Sequence, residues 1–427
     1  MINLRDQPIS VVGIGKSGFQ SALFLKKQGA QVYLTEKVCS SDHEVKCREL
    51  EQLGIEVELG EHNYQKLLKS KLVIISPGIS PQTEVYRRIL AARIPLWSEI
   101  ELAYRYSQAP IIAVTGTNGK TTVATLITQL LNEQGVFAVS CGNIGNPFIG
   151  EVEKLSSKHV AVVEVSSFQL ENIDQFRPRV AVLLNLTDNH FDWHGTFLNY
   201  ANAKWKIFKN QKSGDFSIIN QVDVESQSRS KSLNGSVINF GHQFPGNPNF
   251  SACLAVVNAL GLNTKKAVET LQKFCGIEHR LELVETNDGF RYINDSKSTT
   301  ISSLKWALER MENPAVVILG GRHKGGDFRQ IQETVMRKAK CLILIGEASQ
   351  EIEEAYRGIL PIQRAGSLRD AVQRARLAAQ ASETILFSPA CASFDMFKNY
   401  QDRGNQFKEA VKISQSHLNS VNSASIT

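Results

Sequence analysis

The sequence predicts an α/β protein of three domains: an N-terminal Rossmann-like domain, a central P-loop ATPase-like domain and a C-terminal Rossmann-like domain, over residues 1–107, 108–276 and 277–427. Three observations predict it. A glycine fingerprint, Gly13-x-Gly15-x-x-Gly18, closes the first apolar strand. A second strand runs into a helix through Gly116-Thr117-Asn118-Gly119-Lys120-Thr121-Thr122. The chain, at 427 residues, then repeats strand–loop–helix alternation beyond what one core organises.

Ile9-Ser10-Val11-Val12 reads as a strand, residues 19–28 as a helix, and residues 31–34 as a second strand ending in Thr35-Glu36-Lys37. An acid about 20 residues after the glycines completes a dinucleotide fingerprint. Such a turn takes NAD, takes another diphosphate, or only packs helix on strand, and the pattern leaves these open. Residues 72–75 predict another strand, with Ser76-Pro77-Gly78-Ile79 at its carboxyl end, the edge where open α/β sheets bind ligands. The polar run 104–110, ending in Pro110, reads as an inter-domain linker.

Residues 111–114 are β-branched and apolar, the mark of a buried strand. Val123, Leu126, Ile127, Leu130 and Leu131 then follow the spacing of a helix with one buried face. A glycine turn between the two aims backbone N–H groups and a positive helix end at one spot, which suits phosphate. Lys120 adds a cation for the β- and γ-phosphates and Thr121 a hydroxyl for Mg²⁺, so ATP is the expected ligand although Val114 replaces the usual first glycine. Gly142-Asn143-Ile144-Gly145 reads as a polar loop. Glu164 ends the apolar run Val160-Ala161-Val162-Val163, where a carboxylate needs a cation or a donor. His190 follows the strand at 180–186, a place for a ligand or a merely hydrogen-bonded ring. Lys204, in Ala203-Lys204-Trp205-Lys206-Ile207-Phe208, reads from the residues alone as a surface lysine. Residues 226–246 are polar and loop-like, and a helix follows at 251–260.

From 275 onward strands are expected at 290–294, 315–319, 341–345 and 384–387. Each empties into small or polar residues, including Asp295-Ser296-Lys297-Ser298-Thr299, Gly320-Gly321-Arg322-His323-Lys324 and Ser388-Pro389-Ala390-Cys391-Ala392-Ser393. Four such loops predict a binding edge. The Ser/Asn-rich tail from 414 is expected to fray.

Composition narrows the class. An apolar share of 42% with 21% charged residues is globular, and a net charge of +6 without a basic block argues against a nucleic-acid partner. Seven scattered cysteines without Cys-x-x-Cys argue for reduced thiols and against a zinc knuckle. Arg5 and Asp6 lead straight into a strand rather than a secretory signal, and no apolar run reaches membrane-spanning length, so a cytoplasmic protein is expected.

Over nearly its whole length the chain resembles the Mur ligase family. Thr115-Gly116-Thr117-Asn118-Gly119-Lys120-Thr121 matches the family's phosphate loop. Glu164-Val165-Ser166-Ser167-Phe168-Gln169-Leu170-Glu171 and Ser388-Pro389-Ala390-Cys391-Ala392-Ser393-Phe394-Asp395-Met396-Phe397 resemble its D-glutamate-adding members. The resemblance implies a monomeric ligase joining D-glutamate to UDP-N-acetylmuramoyl-L-alanine at the expense of ATP. It implies that Gly116, Thr117, Asn118, Gly119, Lys120, Thr121 and Thr122 hold the ATP phosphates, with Arg280 and Asp295 closing over the nucleotide. It implies two Mg²⁺ sites, with Thr121, Glu164, His190 and Lys204 as ligands, Lys204 being carbamylated, which reverses the surface reading. Lys120, His190, Lys204 and Lys297 are then the catalytic residues. Gly15, Lys16, Ser17, Thr35, Glu36, Lys37, Ser76 and Asn143 would take the UDP substrate, and Thr299, Lys324, Ser393 and Tyr400 D-glutamate. The chain departs from the family at Asn189, where an acid usually precedes the metal histidine, and at Thr35, where aspartate is common. The stretch 226–253 is shortened, and the adenine signature has decayed to Gly246-Asn247-Pro248-Asn249-Phe250. A sister ligase for another amino acid and a non-catalytic nucleotide-binding descendant are the competing readings.

Overall fold

A computed structural model describes residues 3–187, 191–244, 247–274, 276–323 and 326–424. Its strands are β1 (Pro8–Val12), β2 (Gln31–Glu36), β3 (Glu56–Leu59), β4 (Leu72–Ile75), β5 (Leu96–Ser98), β6 (Ile111–Thr115), β7 (Ala138–Gly142), β8 (Val160–Glu164), β9 (Val180–Leu183), β10 (Phe216–Asn220), β11 (Ser236–Phe240), β12 (Glu282–Val284), β13 (Arg291–Asn294), β14 (Ala315–Gly320), β15 (Ala339–Ile345), β16 (Ile362–Arg364) and β17 (Thr384–Phe387). They form three sheets, ordered β3-β2-β1-β4-β5, β11-β10-β9-β6-β8-β7 and β12-β13-β17-β14-β15-β16. Every pairing is parallel except the β12–β13 edge. Helices cover parallel sheets on both faces, which is why β4, β6 and β14 are continuous buried apolar runs.

The chain divides into two units, Met1–Lys273 and Phe274–Thr427. In the first unit, the first two sheets share one apolar core running from Leu4 through Trp97 and Phe148 to Ile219. Buried carboxylates stitch the seam. Glu101 accepts the N–H groups of Asp174, Gln175 and Phe176 and pairs with Arg105 at 2.5 Å. Glu99 accepts the Ile149 N–H at 2.6 Å. The expected division at 107/108 therefore lies between two sheets of one unit. The second unit packs its own cores on both faces of the third sheet.

Two expectations are corrected. The run 104–110 is not all linker, since its first residues complete the helix Glu99–Tyr106. The stretch 226–246 is not all loop: it holds the end of the helix Val224–Arg229 and the edge strand β11, whose mostly exposed side chains hide it from an apolar pattern. The tail from 414, expected to fray, continues the helix Tyr400–Ala424.

Candidate active site

The phosphate loop forms as expected between β6 and the helix Lys120–Glu133. Gly116 and Gly119 have φ of +149° and +84°. A Cβ on Gly116 would lie 2.9 Å from the Leu184 side chain, and one on Gly119 2.5 Å from Asn249 Oδ1, so glycine is required at both. The segment after β9 braces the loop. The Thr117 N–H donates to Asn185 O and the Asn118 N–H to Asn185 Oδ1, both at 2.9 Å, while the Thr117 hydroxyl pairs with the Tyr200 hydroxyl at 2.9 Å. Lys120 Nζ donates to Gly116 O and Thr117 O, each at 2.9 Å, and so stands over its own loop.

Lys204 joins it there. The residue is only 2% exposed, its ammonium nitrogen donates to Gly116 O at 2.9 Å, and it lies 4.8 Å from the Tyr200 ring centroid. Burial, reinforced by the charge of Lys120 and opposed by Glu164, pushes its pKa well below the usual 10.5. The surface reading of Lys204 is overturned: the helix Phe197–Trp205 packs against the helix Ser167–Glu171 and turns this lysine inward. A desolvated neutral amine is a nucleophile, which is the requirement for forming a carbamate.

Glu164, at the end of β8, is 2% exposed. Its Oε1 accepts from Asn143 Nδ2 at 2.9 Å, and the Asn143 N–H donates to Glu164 O at 2.9 Å. Its Oε2 is buried and has no hydrogen-bond partner among the described residues. A carboxylate oxygen left dry is costly, and a cation satisfies it. With Thr121 buried in the first turn of the loop's helix, the oxygen donors suit a hard divalent ion. Among the described residues no three His, Cys, Asp or Glu side chains converge on a metal site, and His190 lies outside the described residues.

At the first sheet, Gly13 (φ +100°) and Gly18 lock the helix Lys16–Lys27 against β1: a Cβ on Gly18 would stand 1.8 Å from Gly13 O. Ser76 donates to Gly13 O at 3.1 Å, and Glu36 accepts the N–H groups of Ile14 and Val38, so both hold the walls of the crevice. Thr35 is fully buried, its hydroxyl bound to Glu61 O and His62 Nδ1. Gly15, Lys16 and Lys37 are exposed on that edge and Ser17 is half-buried.

In the second unit the loops after β13 and β17 meet around an arginine that the sequence reading passed over. Arg403, wholly buried in the helix Tyr400–Ala424, donates to Ser296 Oγ (3.1 Å), Ser296 O (2.7 Å) and Cys391 O (3.0 Å). Burial lowers its pKa to about 10. A lone arginine in a helical pattern carries no signal of this role. Asp295 accepts from the Ser388 hydroxyl at 2.9 Å, and burial raises its pKa to about 6. Ser393 is buried, Lys297, Thr299 and Tyr400 are half-buried, and Tyr400 O accepts the Ser296 hydroxyl at 2.8 Å. Arg280 lies over the Trp306 ring at 5.7 Å. Lys324 lies outside the described residues.

A glycine loop between strand and helix, a buried lysine on its carbonyl and a carboxylate with one unpartnered oxygen suit a phosphate and a divalent cation, and sequence comparison supplies the class, an ATP-dependent ligase. Family models for the Mur ligase MurD-like N-terminal domain, the Mur ligase middle domain and the Mur ligase glutamate ligase domain match residues 7–98, 114–252 and 279–391. The chain belongs to the Mur ligase family. Within it, UDP-N-acetylmuramoylalanine--D-glutamate ligase of Pelotomaculum thermopropionicum is 39% identical over 94% of this chain and 97% of its own. The protein of the same name from Pelodictyon phaeoclathratiforme is 37% identical over 96% and 99%. Among solved structures, the UDP-N-acetylmuramate-alanine ligase of Thermotoga maritima superposes with a TM-score of 0.54 at 18% identity, covering 96% of this chain and all of that one. The MurF ligase of the same organism, solved with ADP, gives 0.54 at 14% identity over 96% of each chain. These two likenesses concern the fold.

Proposed function

We propose that this chain adds D-glutamate to UDP-N-acetylmuramoyl-L-alanine, converting ATP to ADP and phosphate, in the synthesis of peptidoglycan precursors. The observation that carries the chemistry is Lys204, desolvated and bonded to the Gly116 carbonyl of the phosphate loop, near the unpartnered Glu164 oxygen. The alanyl carboxylate attacks the γ-phosphate of ATP, giving an acyl phosphate; the amine of D-glutamate then displaces phosphate. Two anions meet in the first step, so its barrier falls where cations are held ready. Lys120 supplies one, leaving its loop carbonyls for the γ-phosphate, and Lys297 a second. Glu164, Thr121, His190 and carbamylated Lys204 would hold Mg²⁺ at two sites, where the ions would neutralise charge on the phosphates.

The remaining assignments belong to this reading. Gly116, Thr117, Asn118, Gly119, Thr122, Arg280 and Asp295 hold ATP. Gly15, Lys16, Ser17 and Lys37 take the uridine diphosphate between walls set by Thr35, Glu36 and Ser76, and Asn143 faces the muramoyl end. Thr299, Lys324, Ser393 and Tyr400 take D-glutamate. The protein acts as a cytoplasmic monomer without nucleic acid; no helix among the described residues is long and apolar enough to cross a membrane.

Phosphate release from ATP, with UDP-N-acetylmuramoyl-L-alanine and each candidate amino acid in turn, is the test. Release with D-glutamate alone supports the reading. Release with another amino acid makes the chain a sister ligase, and silence with all of them a binding protein.

A further inference from the structure

The bond between Thr35 and His62, near the carboxyl end of β2, bears on the chemistry of the other ring nitrogen. A hydroxyl has one hydrogen to give. The Glu61 carbonyl has none, so at 3.1 Å Thr35 is the donor there. With its hydrogen given to Glu61, the same oxygen accepts from His62 Nδ1, 2.9 Å away, and this pairing assigns the ring proton to Nδ1. In the neutral imidazole the other nitrogen, Nε2, is then a lone-pair acceptor. Burial keeps the ring neutral by lowering the His62 pKa below 6.5, an effect aided by Lys37 and opposed by the charges of Glu36 and Glu58. Tyr64 stands edge-on to the ring at 6.3 Å and, with Thr35, fixes its orientation. Among the described residues no hydrogen bond engages Nε2. The ring is half-buried at the carboxyl edge of β2, next to Glu36 and Lys37.

We infer that His62 Nε2 accepts the N3–H of uracil, and that this residue selects uridine over cytidine nucleotides. Cytosine carries a lone pair at N3, so the two acceptors would repel. Thr35, fully buried with its hydroxyl committed, acts on the base only through the tautomer it imposes. The inference rests on the uridine diphosphate reading of the first crevice.

Calorimetric titration of UDP and of CDP into the full chain, into His62→Ala and into His62→Phe, tests it. The phenylalanine keeps the ring's volume without the acceptor, and either folded variant suffices. The parent is expected to prefer UDP by roughly 10- to 100-fold, the scale of one hydrogen bond against an unpaired partner. In the variants that ratio is expected to collapse toward unity, chiefly through weaker UDP binding. An unchanged ratio, with UDP still bound, overturns the role of His62 alone. Failure of the parent to bind UDP overturns the crevice reading and His62 with it.

Discussion

Replacing Lys204 by methionine separates chemistry from architecture. The side chain is nearly solvent-free, and its one described hydrogen bond runs 2.9 Å to Gly116 O. That carbonyl also accepts from Lys120 at 2.9 Å, so a thioether of similar length leaves no orphaned acceptor. The cost is one hydrogen bond, about 1 kcal/mol, and removal of a buried amine offsets it. Melting should therefore fall by no more than about 2–4 °C. Turnover should fall by roughly 10²–10³-fold, the scale of deleting one group that stabilises transition-state charge. The lowered pKa adds a check on sign. Between the depressed folded value and 10.5, the unfolded chain holds this proton and the native chain does not. Stability from Lys204 thus rises with pH through that window, by about 1.4 kcal/mol per unit. The stability difference, parent minus methionine variant, should grow toward alkaline pH in CO₂-free buffer. Circular-dichroism melting and phosphate-release assays read both quantities. A variant that turns over like the parent, or one whose lost activity matches its unfolded fraction, would refute the reasoning.

Glu164→Gln keeps the acceptor for Asn143 but removes the charge at the unpartnered oxygen. Without Mg²⁺ the variant should be as stable as the parent or more so by about 1 kcal/mol, and the Mg²⁺-induced rise in Tm should vanish; a retained rise contradicts the assignment. Asp295 has its pKa raised from 3.8 to about 6 by burial, so its stabilising contribution is present at acid pH and lost as pH rises through that interval. The loss is about 3 kcal/mol, and Asp295→Asn should abolish it in denaturant unfolding on either side of the window. Arg403→Lys cannot reproduce the fork onto Ser296 and Cys391, and should cost about 2–3 kcal/mol while raising KM for D-glutamate. Equal stability and kinetics would show that the loops are braced from elsewhere.

Local chemistry was legible wherever strand, glycine turn and helix are contiguous. The loop at 116–122 and the crevice at 13–18 form at the expected strand ends, because a positive φ and a close backbone approach demand glycine at fixed offsets. What escaped depends on packing between distant segments. Lys204 looks like any lysine in a mildly apolar helix until that helix packs against the helix Ser167–Glu171 and the lysine is buried on Gly116 O. Strand β11 lies at a sheet edge with exposed side chains, so Ser and Asn are tolerated and the apolar alternation fades. The helix Tyr400–Ala424 is too polar at its end to advertise itself. The decayed adenine signature misleads in one respect: Asn249 still places its amide against Gly119 of the phosphate loop.

The central claim is that a carboxylate is activated by transfer of the γ-phosphate. Substrate labelled with ¹⁸O in its alanyl carboxylate tests it directly, by mass analysis of the phosphate released during turnover with D-glutamate. Attack of that carboxylate on ATP predicts one labelled oxygen in each phosphate. Unlabelled phosphate, accompanied by normal amide formation, would contradict it.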